Sequence, residues 1–343
     1  MSTYTLSPIY KIPSFDEFCT ILSRSGLKNF TSKYSKRIYG NHILMYFICL
    51  KIETRMSYRR ITEHIRKLMI HRNLSLKSVP HFTTLHKFVE RIDMKIIRRI
   101  INYVAVSYIR NKPVIAAIDG TGITLREASQ HYLYRVNAIK NFAKLSILTD
   151  TKTRIIIDAK SHAHRAHDNV DFKPLVGSLR RLNTIRLCAD KAYDSNENFR
   201  ILSNLGIEPQ IPIRKKSKTK VFKGKYRRKS TSIFNEKHYH QRSIVESVFS
   251  SLKRTMGGFV NDNKRSSIEK NSLMKVIVYN LNKVQTFNLY LLQLTRISTH
   301  SIYYSTMNAS GSFIFGGSFS HIIIIAKHPK IPNNAPPITS IST

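Results

Sequence analysis

Apolar side chains return every three or four positions through the first third of the chain, and that spacing predicts helices over residues 1–110. Ile43 to Ile52 is apolar nearly all round, the pattern of a buried helix. Tyr58, Ile61, Ile65, Leu68 and Met69 form a stripe behind Ser57, whose hydroxyl suits a helix cap. After the break at Pro80, Thr83 or Thr84 heads a helix with Leu85, Phe88, Val89 and Ile92 inward and His86, Lys87, Glu90 and Arg91 outward. Met94 to Arg110, apolar at 96, 97, 100, 101, 104 and 108, reads as a further helix. Helix, connection, helix with a basic outer face suits a helix-turn-helix whose second helix enters a major groove, although any small helical bundle has the same pattern.

From Pro113 the period changes. Val114 to Asp119 is a continuous apolar run that ends in an acid and meets Gly120-Thr121-Gly122, as in a buried strand entering a turn. Leu145 to Leu148 and Arg154 to Ala159 are two further strands, and the three form a meander. Phe172 to Leu182 has helical spacing, and Ile185 to Asp190 repeats the apolar strand closed by an aspartate. Asp194-Ser195-Asn196-Glu197 has the form of a capping box, so that acid pair reads as structural. Ile207 to Ile213 is a last strand, and the alternation of elements predicts an α/β fold.

The stretch from Tyr239 to Lys253 reads as one helix. At roughly 100° per residue, Tyr239, Arg242, Glu246 and Lys253 fall within about 60° of one another. Ile244, Val245, Val248, Phe249 and Leu252 take the other side. One face packs while its edge presents a carboxylate between cations. Taken alone, the pattern also describes an amphipathic helix with solvated charges.

Charge shifts that balance. Lys and Arg number 57 against 20 Asp and Glu, a net charge of +37 with a pI near 10.3, so a polyanion, DNA or RNA first, is the natural partner. With 343 residues and 42% hydrophobic content the chain can bury a sizeable core and divide into two domains. Ile43 to Leu50 is too short an apolar run to span a membrane, and the N-terminus lacks a basic-then-apolar signal pattern. A cytoplasmic location without membrane association, on the nucleoid through DNA, is therefore expected. Cys19, Cys49 and Cys188 are odd in number and widely spaced, which suits core thiols rather than a disulfide framework or zinc ribbon.

Between Arg214 and Lys229, ten of sixteen residues are Lys or Arg, and Tyr226 is interleaved. Such blocks are often solvated loops, but beside a carboxylate site this one suits a grip on the phosphate backbone, with Lys215, Lys216, Arg227 and Arg228 as candidate contacts. In a chain so poor in acids, Asp119 and Asp190 at strand ends and Glu246 on a polar helix edge form a set of three carboxylates. Such oxygen donors suit Mg²⁺ or Mn²⁺. Two ions about 3.5–4 Å apart would activate the attacking oxygen of a phosphoryl displacement and stabilise the leaving one. Arg242 and Lys253 on the same edge would hold phosphates, one by a fork and one as a point charge.

These segments resemble the DDE transposases of prokaryotic insertion sequences. Tyr239-x2-Arg242-x3-Glu246-x6-Lys253 is similar at every interval to the family's Y-R-E-K signature. Ile118-Asp119-Gly120-Thr121 resembles the segment around its first catalytic aspartate, and Ala189-Asp190-Lys191-Ala192-Tyr193-Asp194 the segment around its second. The likeness covers about residues 39–285. It implies a ribonuclease-H-like mixed sheet flanked by helices over 111–293, preceded by a small all-helical DNA-binding domain over 1–110. It further implies that Asp119, Asp190 and Glu246 bind two Mg²⁺ or Mn²⁺ ions while Tyr239, Arg242 and Lys253 contact double-stranded DNA at the element's end. The implied reaction is hydrolysis at the element's 3′ ends, followed by attack of the 3′-hydroxyl on target DNA. Members act as homodimers or larger assemblies.

Some features stand apart. Certain Y-R-E-K relatives hold a flipped base on a tryptophan during hairpin cleavage, and this chain has no Trp. The run Ser161 to Asp168 carries His162, His164 and His167, but His-x-His without a partner set suits a surface loop near DNA better than a zinc site. After Glu269 there is no acid, Leu273 to Leu292 keeps a helical stripe, and 294–343 turns to Ser, Thr, Gly and Pro, the composition of a poorly ordered tail. Two alternatives share these motifs: a metal-dependent nuclease or resolvase without strand transfer, and an inactive DNA-binding remnant.

Overall fold

Helices precede a mixed sheet and share a core with one of its faces. The computed structural model describes residues 13–31, 33, 34, 36–68, 70, 74, 76–125, 142–214 and 224–307, with 287–307 described by backbone alone. The chain divides into two units, Met1–Leu292 and Gln293–Thr343.

Among the described residues the fold opens with the helices α1 (Phe15–Arg24), α2 (Asn41–Glu53), α3 (Tyr58–Lys67), α4 (Phe82–Arg91) and α5 (Met94–Ile109). Ser57 caps α3 through a bond from Arg60 N, as its hydroxyl predicts. His81, rather than Thr83 or Thr84, caps α4, because its Nδ1 also pairs with the Thr83 hydroxyl and fixes the entry turn. Leu85, Phe88 and Val89 of α4 are buried with Phe47 and Ile48 of α2. Apolar α2 is thereby the hub of the helical layer.

The sheet runs in the order β3-β2-β1-β4-β5, with β6 (Phe259–Val260) paired to the far end of β1. Its strands are β1 (Val114–Leu125), β2 (Phe142–Asp150), β3 (Ile156–His162), β4 (Thr184–Ala189) and β5 (Glu208–Gln210). β2 is antiparallel to its neighbours, whereas β4 and β5 run parallel to β1. This mixed sheet flanked by helices agrees with the ribonuclease-H-like expectation. β1 does not turn at Gly120; it continues to Leu125, because Thr121 to Thr124 pair with β2 and Thr124 and Leu125 also pair with β6. Partners distant in sequence extend a strand that its own glycines would end.

One sheet face packs Ala117, Ile123 and Ile147 against α10 (Ser243–Met256) and α11 (Arg265–Met307), sharing its core with the N-terminal helices. The other face packs Ile118, Leu148 and Leu187 against α6 (Asp168–Val176) and α7 (Asn196–Asn204). The spacing over Phe172–Leu182 splits into the end of α6 and a 3-10 turn at Gly177–Arg181. Helix α11 continues to Met307, past residue 294 where composition places the start of a tail.

Candidate active site

Asp119 and Asp190 reach the site on neighbouring parallel strands. Ile118 of β1 pairs with Ala189 of β4, and each aspartate takes the next position. Asp190 heads a 3-10 turn at Lys191–Tyr193, its Oδ1 accepting from Lys191 N at 2.6 Å. Asp119 likewise accepts from Gly120 N at 2.8 Å. Burial pushes the Asp119 carboxyl above the ordinary aspartate range, and the charges of Asp190 and Asp168 add to this against the opposing pull of the Gly120 bond and Arg242.

Glu246 arrives on α10. The helix expected over 239–253 is broken: Tyr239 ends the short helix α9 (Glu236–Tyr239), a 3-10 turn follows at His240–Arg242, and α10 begins at Ser243. The tighter turn changes the angle between Tyr239 and the rest of the stripe, and the Tyr239 ring lies against Phe234 at 5.8 Å and His240 at 6.0 Å. Arg242 lies between the two acids, donating from Nη1 to Asp119 Oδ2 at 2.7 Å and from Nη2 to Glu246 Oε1 at 3.0 Å. Glu246 stays open to solvent, its side chain 61% exposed. Lys253, two turns further on, donates to the Thr121 hydroxyl at 2.7 Å, and burial lowers its ammonium below the ordinary lysine range. Asp119, Glu246, Arg242 and Lys253 thus gather over central strand β1, on the sheet face that α10 covers.

The basic segment divides. Lys215 and Lys216 lie outside the described residues. Arg228 is exposed on α8 (Lys225–Ile233). Arg227 is turned inward, donating to both oxygens of buried Asp194 at 2.7 and 2.5 Å. The capping-box reading of Asp194 changes with it: Ser195 caps α7 through Asn198 N, Asp194 anchors Arg227, and Glu197 pairs with Arg200.

The other side of β1 carries charges that no motif in the sequence marks. Asp171 of α6 is fully buried and accepts from Ser146 Oγ at 2.7 Å and His162 Nε2 at 2.7 Å, with Lys160 Nζ at 3.3 Å. Burial alone would raise its carboxyl, but those bonds hold it below the ordinary range. Lys144, nearly buried, reaches Asp168 Oδ1 at 2.8 Å. Gly120 makes room for this pair, since a Cβ there would meet Asp168 Oδ1 at 3.1 Å and Lys144 Cε at 3.2 Å. A lysine inside the apolar run Phe142–Asp150 is the available signal for this layer. His162 is held by Asp171 and lies 5.7 Å from the His164 ring, so it serves a hydrogen-bond network.

Among the described residues no three His, Cys, Asp or Glu side chains are gathered as a metal cage. The donor chemistry still fits a hard cation. Asp119 and Asp190 are adjacent carboxylates, Asp119 is made reluctant to ionise by burial and by its neighbour, and Arg242 supplies the positive charge that such a pair requires.

An uncharacterized protein of Aquifex aeolicus (strain VF5) is 22% identical over 284 residues, covering 78% of this chain and 86% of its own length. Two solved structures are similar at low superposition. The piggyBac transposase synaptic complex with hairpin DNA matches with TM-score 0.40 and 13% identity, covering 82% of this chain and 76% of that one. The Drosophila P element transposase strand transfer complex matches with TM-score 0.27 and 12% identity, covering 81% and 84%. The family model for the transposase DDE domain matches residues 110–281, from just before β1 to the middle of α11, and the chain belongs to that family.

Proposed function

We propose that this protein is a DNA transposase that cuts at the ends of an insertion sequence and joins the freed 3′-hydroxyl to target DNA. The observation that carries the proposal is the meeting of Asp119 and Glu246 on Arg242, which brings the first aspartate to the signature helix from 123 positions away. Asp119, Asp190 and Glu246 would hold two Mg²⁺ or Mn²⁺ ions. Bound there, the ions would supply activation of the attacking oxygen and stabilisation of the leaving one.

The chain's own groups bind and orient. Arg242, released from the carboxylates, offers a two-pronged donor to a DNA phosphate, and Lys253 offers a point charge beside Thr121. Tyr239 supplies an aromatic face at the same site, and Arg228, Lys215 and Lys216 would grip the backbone beyond it. Arg227 contributes indirectly, holding α8 to Asp194 so that Arg228 faces outward. Helices α3 and α4 would read the element's end, acting in a homodimer or larger assembly. No helix among the described residues is long and apolar enough to cross a membrane, and we place the protein with DNA in the cytoplasm.

The test is cleavage and joining on a labelled duplex carrying the gene's own flanking DNA, with Mg²⁺ and with chelator, wild type beside Asp119→Ala. Metal-dependent nicking with joined products, abolished in the variant, is expected. Nicking without joining would reduce the activity to a nuclease, and binding without cutting in every metal would refute catalysis.

A further inference from the structure

We infer that a cleft at the β3 edge of the sheet is a second DNA-backbone site. Its volume is about 750 Å³, and it is lined by Arg24, Lys95, Arg98, Arg99, Arg180 and Arg181 from the end of α1, the start of α5 and the 3-10 turn at Gly177–Arg181. The acid in its lining is Asp158, and Arg98 takes it: Nε and Nη2 donate to its two oxygens at 3.1 and 2.5 Å, and Nη2 also reaches Pro174 O. Asp158 is nearly fully buried and also accepts from the Ser178 hydroxyl. One arginine is thus fixed as a rigid floor.

The other five cations are exposed and, among the described residues, none has a carboxylate partner. Helix electrostatics account for Arg24, in the last turn of α1, but not for the others. Lys95 lies in the first turn of α5, where the helix dipole favours acids; that turn has none, and the Asp93 cap precedes it. Like charges gathered around one cleft repel each other, and a polyanion removes that repulsion. Arginine forks on a concave surface suit phosphate oxygens spaced along a duplex.

The site differs from the catalytic one in residues and in place, since edge strand β3 lies two strands from β1. It relies on the DNA-acting reading above only for which polyanion is bound. A bound duplex would therefore be held at two places, its reacting end at Asp119 and a flanking stretch here.

The experiment is duplex-DNA binding by the full chain in chelator across a range of salt, comparing wild type with Arg99→Ala/Arg180→Ala/Arg181→Ala. Each phosphate that is no longer neutralised lowers the slope of log K against log salt by about 0.9, so the triple variant should be shallower by about 2–3. Its hydroxyl-radical footprint should no longer protect flanking sugars and should keep protection at the cleaved end. A control variant, Lys152→Ala, removes an exposed lysine between β2 and β3 that is not in the cleft lining and should retain the wild-type slope. An unchanged slope in the triple variant, or an equal fall in the control, would overturn the cleft. A weakening seen with heparin but not with duplex DNA would overturn the choice of ligand. Because binding is read without metal, failure of cleavage would defeat the transposase reading and leave this result standing.

Discussion

Arg242 Nη1 donates to Asp119 Oδ2 at 2.7 Å across 123 positions of sequence, while its Nη2 holds Glu246 one helical turn away. A guanidinium therefore sits where the site needs positive charge. Burial alone would lower the Arg242 pKa, but the charges of Asp119, Tyr239 and Glu246 raise it above the ordinary value. The pairing keeps a carboxylate set compact that would otherwise repel itself.

Replacing Arg242 by Gln should destabilise the metal-free protein by about 1 kcal/mol, the scale of a partly exposed ion pair. Added Mg²⁺ should then raise the melting temperature more in the variant than in wild type, because a competing cation is gone. Equal Mg²⁺ shifts in both proteins would contradict the shared site.

Glu246→Gln removes one charged oxygen donor and little else. Cleavage should fall at least about 100-fold, on the scale of losing a group aimed at developing charge, while end binding in chelator is retained. Normal turnover would remove Glu246 from the site.

Arg227 and Arg228 are adjacent but should behave oppositely. Arg227→Ala leaves buried Asp194 without its cation and should cost about 3–5 kcal/mol in denaturant unfolding. Arg228→Ala should leave stability within about 0.5 kcal/mol while weakening DNA binding and its salt dependence.

Gly120→Ala tests the close approach beneath β1. Its methyl group would press on Asp168 and Lys144, and overpacking of this kind costs about 1–3 kcal/mol. Unfolding measurements on Gly120→Ala alone and with Asp168→Ala should show the second change relieving part of the first.

Lys275 should contribute stability that grows with pH from about 8 to 10, against the thiols of Cys19, Cys49 and Cys188, which burial raises and which act the other way. Burial, reinforced by Lys51 and Arg55, lowers the Lys275 ammonium to about 8 from 10.5, so across that window the unfolded chain binds the extra proton and alkali favours the fold. The Tyr58 and Tyr193 hydroxyls, which burial also raises, oppose it above about 10, because unfolding releases their protons. Denaturant titrations at several pH values should show the stability of wild type relative to Lys275→Met growing from about pH 8 to 10. A difference that does not change with pH would mean that Lys275 stays charged throughout.

Much of the molecule was legible in the residues alone. Helical spacing located α2, α3 and α5, and the hydroxyl of Ser57 identified a cap, because both depend on neighbours within one or two turns. The two apolar runs closed by Asp119 and Asp190 did become adjacent strands, and the intervals around Glu246 identified the family. These features are written in local chemistry and spacing.

Other features depended on partners far along the chain. Gly120 and Gly122 suggest a turn until β2 and β6 supply the hydrogen bonds that carry β1 onward. Arg227 is indistinguishable in sequence from Arg228, and its role was decided by Asp194, 33 residues away and buried, where a lone charge would be costly. The cations of the cleft come from three separate elements, and the lack of a carboxylate partner among the described residues for all but Arg98 is a property of the assembled surface. Sequence specifies which residues can form a helix, a strand or a carboxylate set. Which charges meet is settled by tertiary packing, because electrostatic pairing depends on distance in space.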